Sequence, residues 1–271
     1  VASVTESEYK SALSDILSLG EFRGDRTGTG TISMFGVNRV YDVSSSFPLM
    51  TSKKMYFKSM AHELVWFIKG QTNLQDLHPS VHSWWKDFAD EKGELGPIYG
   101  KQWRQWETPG GKKIDQLQWL VDEIRRNPTS RRLIVSAWNA ADIEDMALPP
   151  CHTMFQVYVH EKSRKMDLTL YQRSGDMFLG VPYNIASYSL LLMVLCKLTG
   201  YRPGRFIHQI GDAHVYLNHI EQVKKYIKNP SHNMPQVTLS DEIVDLDTLT
   251  ASMFELKGYE CEEPIKAPLA V

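Results

Sequence analysis

The chain has almost no cysteine: three in 271 residues, Cys151, Cys196 and Cys261. So few thiols exclude a disulfide framework, and without a CxxC pair nothing points to structural zinc. A reduced, cytoplasmic setting is the expectation. Positive charge is not in excess either. With 30 basic and 32 acidic residues the net charge is −2, so gripping nucleic acid, which needs a basic surface, is not the chain's main business. The longest apolar run, Leu190 to Cys196, is far short of the ~20 residues that span a membrane, and reads as a buried helix. The first residues, Val1 to Glu8, lack the charged-then-apolar layout of a signal peptide.

What is present is ordinary globular material, 42% hydrophobic and 23% charged, enough to bury a substantial core. Apolar residues at Tyr9, Leu13, Ile16 and Leu17 predict a helix over Glu6 to Leu19. Similar spacing predicts helices over Lys58 to Ile68, Ile114 to Arg126, Asn184 to Thr199 and Val215 to Ile227. Strands are predicted over Thr31 to Val43, Leu133 to Trp138, Thr153 to His160, Lys165 to Gln172 and Phe206 to Ile210. Residues 70–113, rich in Trp, Gly, Pro and charge, show only short helical stretches. Hairpin-like strand pairs mixed with helices give an α+β fold rather than a doubly wound sheet. No repeat, low-complexity tract or linker divides the chain, so a single domain over 1–271 is expected, a mixed sheet packed by helices.

The chemistry concentrates in a few segments. Cys151 follows Pro149-Pro150 and precedes His152, an extended, polar setting unlike that of Cys196 inside an apolar helix. A thiolate there is a nucleophile, and nearby arginines would lower its pKa. Arg173-Ser174 closes one alternating strand and Arg131-Arg132 opens another; guanidinium forks and a hydroxyl match phosphate oxygens. Asp25-Arg-Thr-Gly-Thr-Gly-Thr31 lacks the Gly-Lys-Ser/Thr of a P-loop and precedes a strand, so triphosphate hydrolysis is not expected, although Arg26 could contact a monophosphate. Asn184 offers an amide that suits the N3–H and O4 edge of uracil; a helix N-cap is the competing reading. Glu63 is the odd charge of an apolar helix, either solvent-facing or a carboxyl with a raised pKa that relays protons. Trp84, Trp85 and Phe88 cluster where a flat ligand could stack. His214 and His219 are spaced wrongly for a helical metal pair, and no metal is expected.

Ordered blocks from Asp25 onward resemble the thymidylate synthases. They are Asp25 to Thr31, His62 to Phe67, Gly96 to Arg104, Arg131 to Asn139, Leu148-Pro-Pro-Cys-His152, Tyr171-Gln-Arg-Ser-Gly-Asp176, Gly211 to Tyr216 and the tail Ile265 to Val271. The resemblance implies that Cys151 attacks C6 of dUMP and that C5 captures the one-carbon unit of 5,10-methylenetetrahydrofolate. Proton removal through Glu63 and Tyr99, with His152 beside the nucleophile, and hydride transfer then give dTMP and dihydrofolate. Arg26, Arg173 and Ser174 hold the phosphate, with Arg131 and Arg132 donated across a homodimer formed through the sheet face. His214 and Tyr216 hold the deoxyribose and Asn184 reads the base. Asp176, Trp85, Leu179, Gly180 and Tyr183 line the folate site, and Ala270 and Val271 close over it.

Some positions depart from the family's commonest pattern. Trp84 stands where a smaller aliphatic is usual, and Tyr183 replaces a phenylalanine and so adds a hydroxyl that needs a partner. The competing readings are a deoxypyrimidine-monophosphate hydroxymethyltransferase, in which water quenches the exocyclic methylene, and an inactive nucleotide- or RNA-binding scaffold.

Overall fold

A computed structural model of the chain describes residues 4–269. Helix α1 (Val4–Leu19) is followed by strands β1 (Glu21–Arg23) and β2 (Thr31–Asp42), then α2 (Phe57–Ile68), the four-residue α3 (His82–Trp85) and α4 (Tyr99–Gln105). A small hairpin, β3 (Trp106–Glu107) and β4 (Lys113–Ile114), leads to α5 (Gln116–Arg126). Then come β5 (Ile134–Ser136), β6 (His152–His160), β7 (Lys165–Asp176), α6 (Val181–Thr199), β8 (Arg202–Tyr216), α7 (Ile220–Lys228) and the closing pair β9 (Gln236–Leu239) and β10 (Phe254–Lys257). This is the expected α+β architecture in one domain.

The main sheet runs β1-β2-β8-β7-β6-β5. Every neighbouring pair is antiparallel except β7 and β8, which run parallel. A parallel pair needs a long crossover, and α6 supplies it. That helix is buried nearly all round. At 19 residues it is long and apolar enough to cross a membrane, more so than its longest apolar run suggested, but the fold uses it as a core element. Gly200 ends it in the left-handed region, φ +76°, as a C-terminal glycine does. Helix α1 buries Tyr9, Leu13 and Ile16 completely and packs along β2, as its spacing predicts.

Several boundaries differ from the sequence reading. Strand β7 does not stop at Gln172; its pairing with β8 continues through Ser174↔Asp212 and Asp176↔His214, so Arg173 and Ser174 lie within the strand. Strand β8 runs past Ile210 because Gly211 lets two backbones meet: a Cβ there would stand 2.7 Å from the Arg173 carbonyl oxygen. Val215 and Tyr216 are therefore strand residues, and the helix begins only at Ile220. Helix α6 starts at Val181, since Pro182 is tolerated in a first turn, which places Asn184 inside the helix rather than at its cap. Helix α5 starts after Asp115, whose carboxylate accepts from the Gln118 amide at 2.9 Å.

Candidate active site

One cavity of about 760 Å³ gathers most of the chemistry-bearing residues of the sequence, a size suited to small-molecule ligands. Cys151 is fed into it by Pro149-Pro150 just ahead of β6. Its amide donates to the Tyr99 hydroxyl at 2.8 Å, and its carbonyl accepts from the Arg173 amide at 2.8 Å. The Arg173 guanidinium clamps the same segment, donating to the carbonyls of Pro149 at 2.8 Å and Pro150 at 3.0 Å, with Nη2 3.9 Å from Cys151 Sγ. Burial pushes the Cys151 thiol up and Arg173 opposes it. The net direction is thus opposite to the arginine-lowered value expected from sequence, because desolvation of the thiolate outweighs one cation.

His152 also lines the cavity, but it stacks on Tyr99 with centroids 4.2 Å apart, and its Nδ1 is 3.1 Å from the Tyr188 hydroxyl. Burial lowers its pKa to about 3. The imidazole beside the nucleophile is therefore neutral near pH 7, and what it offers the site is a neutral hydrogen-bonding ring that braces Tyr99.

Arg26 is exposed on the loop after β1 and lines the cavity. The loop is tied by Asp25, whose carboxylate accepts from the Thr27 amide and hydroxyl and from the Gly30 amide, at 2.5 to 2.8 Å. The Thr27 hydroxyl bond is the largest cause holding the Asp25 carboxyl below the usual range. Ser174, His214 and Tyr216 reach the cavity from the paired ends of β7 and β8. His214 Nδ1 lies 3.2 Å from Asp212 Oδ1, and burial pushes the Tyr216 hydroxyl up to about 12.

Asn184 is held in one orientation by a chain of hydrogen bonds that the sequence reading did not find. The Gln172 Nε2 lies 2.9 Å from the Ser174 carbonyl oxygen. A carbonyl only accepts, so the nitrogen of that amide must face it. The same Nε2 donates to Asn184 Oδ1 at 3.1 Å. On the other side Gln172 Oε1 lies 2.8 Å from His208 Nε2, which must therefore carry the proton. His208 Nδ1 is left bare, without a partner among the described residues; burial, aided by His152, lowers this histidine to about 3. Asn184 thus keeps its two Nδ2 donors and one Oδ1 lone pair for a ligand, a pattern that fits an edge with an acceptor beside an N–H. The sequence carried a signal: Gln172 continues the buried parity of Met166, Leu168 and Leu170, and a polar residue there must have a partner.

The other wall is aromatic and acidic. Glu63 is not solvent-facing. Its Oε1 accepts from Trp85 Nε1 at 2.6 Å, and burial raises its pKa to about 7 with the Trp85 bond opposing. Tyr183 meets Trp84 at 4.8 Å between centroids, and its additional hydroxyl accepts from the Tyr56 amide at 3.3 Å. Leu179 and Gly180 also line this end. Asp176 joins them, its Oδ1 accepting from the amides of Phe178 at 2.9 Å and Leu179 at 3.1 Å.

Two expected groups are not brought in. Arg131 and Arg132 are exposed beside the edge strand β5, away from the cavity. Ala270 and Val271 lie outside the described residues, although Leu269 just before them lines the cavity. Among the described residues no cluster of metal ligands forms; His214 and His219 sit on a strand and a 3₁₀ turn instead of one helix.

A model of the thymidylate synthase family matches residues 7–271. That span contains the whole cavity and the entire sheet, so the chain belongs to the thymidylate synthase family of folate-using, dUMP-methylating or related enzymes.

Proposed function

We propose that the protein is a thymidylate synthase, converting dUMP to dTMP with 5,10-methylenetetrahydrofolate and releasing dihydrofolate. The observation that carries this reading is the meeting of Cys151, a fixed Asn184 amide and a carboxyl of raised pKa, Glu63, in one cavity. Arg26, Arg173 and Ser174 take the phosphate, His214 and Tyr216 the deoxyribose, and Asn184 the uracil edge. Asn184 Nδ2 donates to O4 and its Oδ1 accepts from N3–H. Cytosine, with an amino group at C4 and a bare N3, would need the amide reversed at the cost of the Gln172 bond.

The Cys151 thiolate adds to C6; the S–C6 bond forms and the C5=C6 electron pair moves toward O4, where the Asn184 donors stabilise the developing charge. Glu63, titrating near neutrality, takes and returns protons at C5 and O4 together with the Tyr99 hydroxyl. The folate fits the aromatic end: Trp85, Tyr183, Leu179 and Gly180 give an apolar wall, and Asp176 an acceptor for a ring N–H. When bound, it supplies the one-carbon unit and the hydride.

The working form is a homodimer through the outer face of the sheet. That face carries Met154, Tyr158, Tyr171, Val40 and Ile134 exposed on its strands, more apolar surface than a lone sheet face leaves open. Arg131 and Arg132 lie at its edge with no side-chain partner among the described residues, free to complete the phosphate site of the partner.

The test is product analysis with dUMP and methylenetetrahydrofolate, reading dihydrofolate by absorbance and the nucleotide by mass. Equal yields of dTMP and dihydrofolate support the synthase. Hydroxymethyl-dUMP with tetrahydrofolate would instead establish the hydroxymethyltransferase, in which water wins over hydride.

A further inference from the structure

His219 lies in the turn Leu217–His219 between β8 and α7, and nothing in the proposed chemistry uses it. Its ring is fully buried, at 0% exposure, and wedged between Phe178 and Tyr216, with centroids 5.7 and 5.5 Å away. Nε2 lies 2.7 Å from the carbonyl oxygen of Pro268. Since that oxygen only accepts, Nε2 carries the proton. Nδ1 has no hydrogen-bond partner among the described residues and stands 4.0 Å from Asp176 Oδ1, on the cavity wall.

An apolar side chain would fill this space without burying an unsatisfied nitrogen, which costs free energy. What an imidazole adds is a donor aimed at the carboxy-terminal segment. Pro268 is followed directly by Leu269, which lines the cavity. One buried ring therefore touches both the tail and the immediate surroundings of the carboxylate assigned to the folate.

We propose that His219 is a positioning residue that docks the carboxy-terminal segment: its Nε2–H holds the Pro268 carbonyl, which sets Leu269 against the cavity beside the ligand of Asp176. This rests on the folate site proposed above. When the tail leaves, the ring loses the one hydrogen bond it makes among the described residues, so docking and satisfaction of a core polar group are one event. His219 acts through the tail and touches no reacting atom.

Two experiments test it. Long-range ¹H–¹⁵N spectra of ¹⁵N-histidine-labelled wild-type protein read the tautomer directly, without turnover. An Nε2-protonated His219 is expected, and an Nδ1-protonated ring with bare Nε2 overturns the proposal. The second compares His219→Leu, which keeps bulk only, with His219→Gln, which keeps an N–H donor. His219→Leu weakens folate binding about tenfold, the factor that a hydrogen bond of roughly 1.4 kcal/mol represents. It leaves dUMP affinity unchanged and diverts part of the turnover to hydroxymethyl-dUMP as water enters, while His219→Gln restores both properties toward wild type. Equal defects in the two variants would show a packing role and overturn the proposal. Should His219→Leu not fold, the tautomer decides alone. Should the wild type make no dTMP, the synthase reading falls, while the tautomer and direct folate binding still decide the latch.

Discussion

Replacing Trp85 by phenylalanine isolates one hydrogen bond that tunes the proposed proton carrier. Burial raises Glu63 to about 7, and the Trp85 Nε1–H, 2.6 Å from Oε1, opposes it. Phenylalanine removes that donor but keeps an aromatic ring against Trp66 and Phe67, which Trp85 meets at 5.8 and 6.0 Å. A hydrogen bond to a charged acceptor contributes about 1.5–3 kcal/mol, and one pKa unit corresponds to about 1.4 kcal/mol. The carboxyl therefore climbs by roughly one to two units when the bond is lost. The base is the ionised form, dominant above the pKa, so the acid limb of kcat/KM moves upward from near neutrality. The assay is tritium release from C5-labelled dUMP across roughly pH 6 to 10, with the low-pH deficit recovering at the alkaline end. An unmoved limb, or one displaced to lower pH, would refute the assignment of Glu63 as the titrating base.

Other expectations follow from the same geometry. The neutral Glu63 carboxyl is favoured by burial, so its stability contribution is intact below its unfolded value near 4.5 and is lost as pH rises through about 7. Glu63→Gln should abolish turnover yet gain about 3 kcal/mol at pH 8, seen as a rise in Tm that is absent at pH 4. His208→Leu leaves Gln172 Oε1 unpaired in the core, costing about 1–3 kcal/mol. The Ser174 carbonyl still fixes the Gln172 amide, so Asn184 keeps its orientation and the preference for dUMP over dCMP is unchanged in competition binding; a narrowed preference would mean that the orientation depends on His208. Chains carrying Cys151→Ala and chains carrying Arg131→Ala with Arg132→Ala should each be inactive. Refolded together they should recover about a quarter of wild-type activity, because half of the dimers contain one intact composite site; no recovery would place both arginines outside the partner's site.

Much of the fold was legible because its elements are locally consistent. Tyr9, Leu13 and Ile16 announce α1, and the alternation of β6 survives unchanged in the structure, while early β7 departs from it by burying Asp167 between Met166 and Leu168. The failures have physical causes. The sequence reading ends this strand at Ile210, yet Gly211 is there so that β8 can pass the Arg173 carbonyl, a contact invisible from local sequence. The predicted helix start at Asn184 leaves out Pro182, which sits where a helix tolerates it. Around the site, residue types pointed to the cavity well. The sign of the Cys151 shift, the neutrality of His152 and the locked Asn184 amide depend on burial and on partners distant in the chain, which spacing does not encode.

The single parallel pairing in the sheet has a consequence for how activity is acquired. The pairs β1–β2 and β6–β7 are joined by short turns and can zip as hairpins, whereas β7 and β8 cannot pair until the whole of α6, which lies between them in sequence, has docked. Their paired ends carry Ser174 and Asp176 opposite Asp212 and His214. Closing so long a loop is the slow kind of step in folding. A nascent or refolding chain will therefore regain helix content and a partly built sheet before it binds any nucleotide, and ligand competence marks the end of folding.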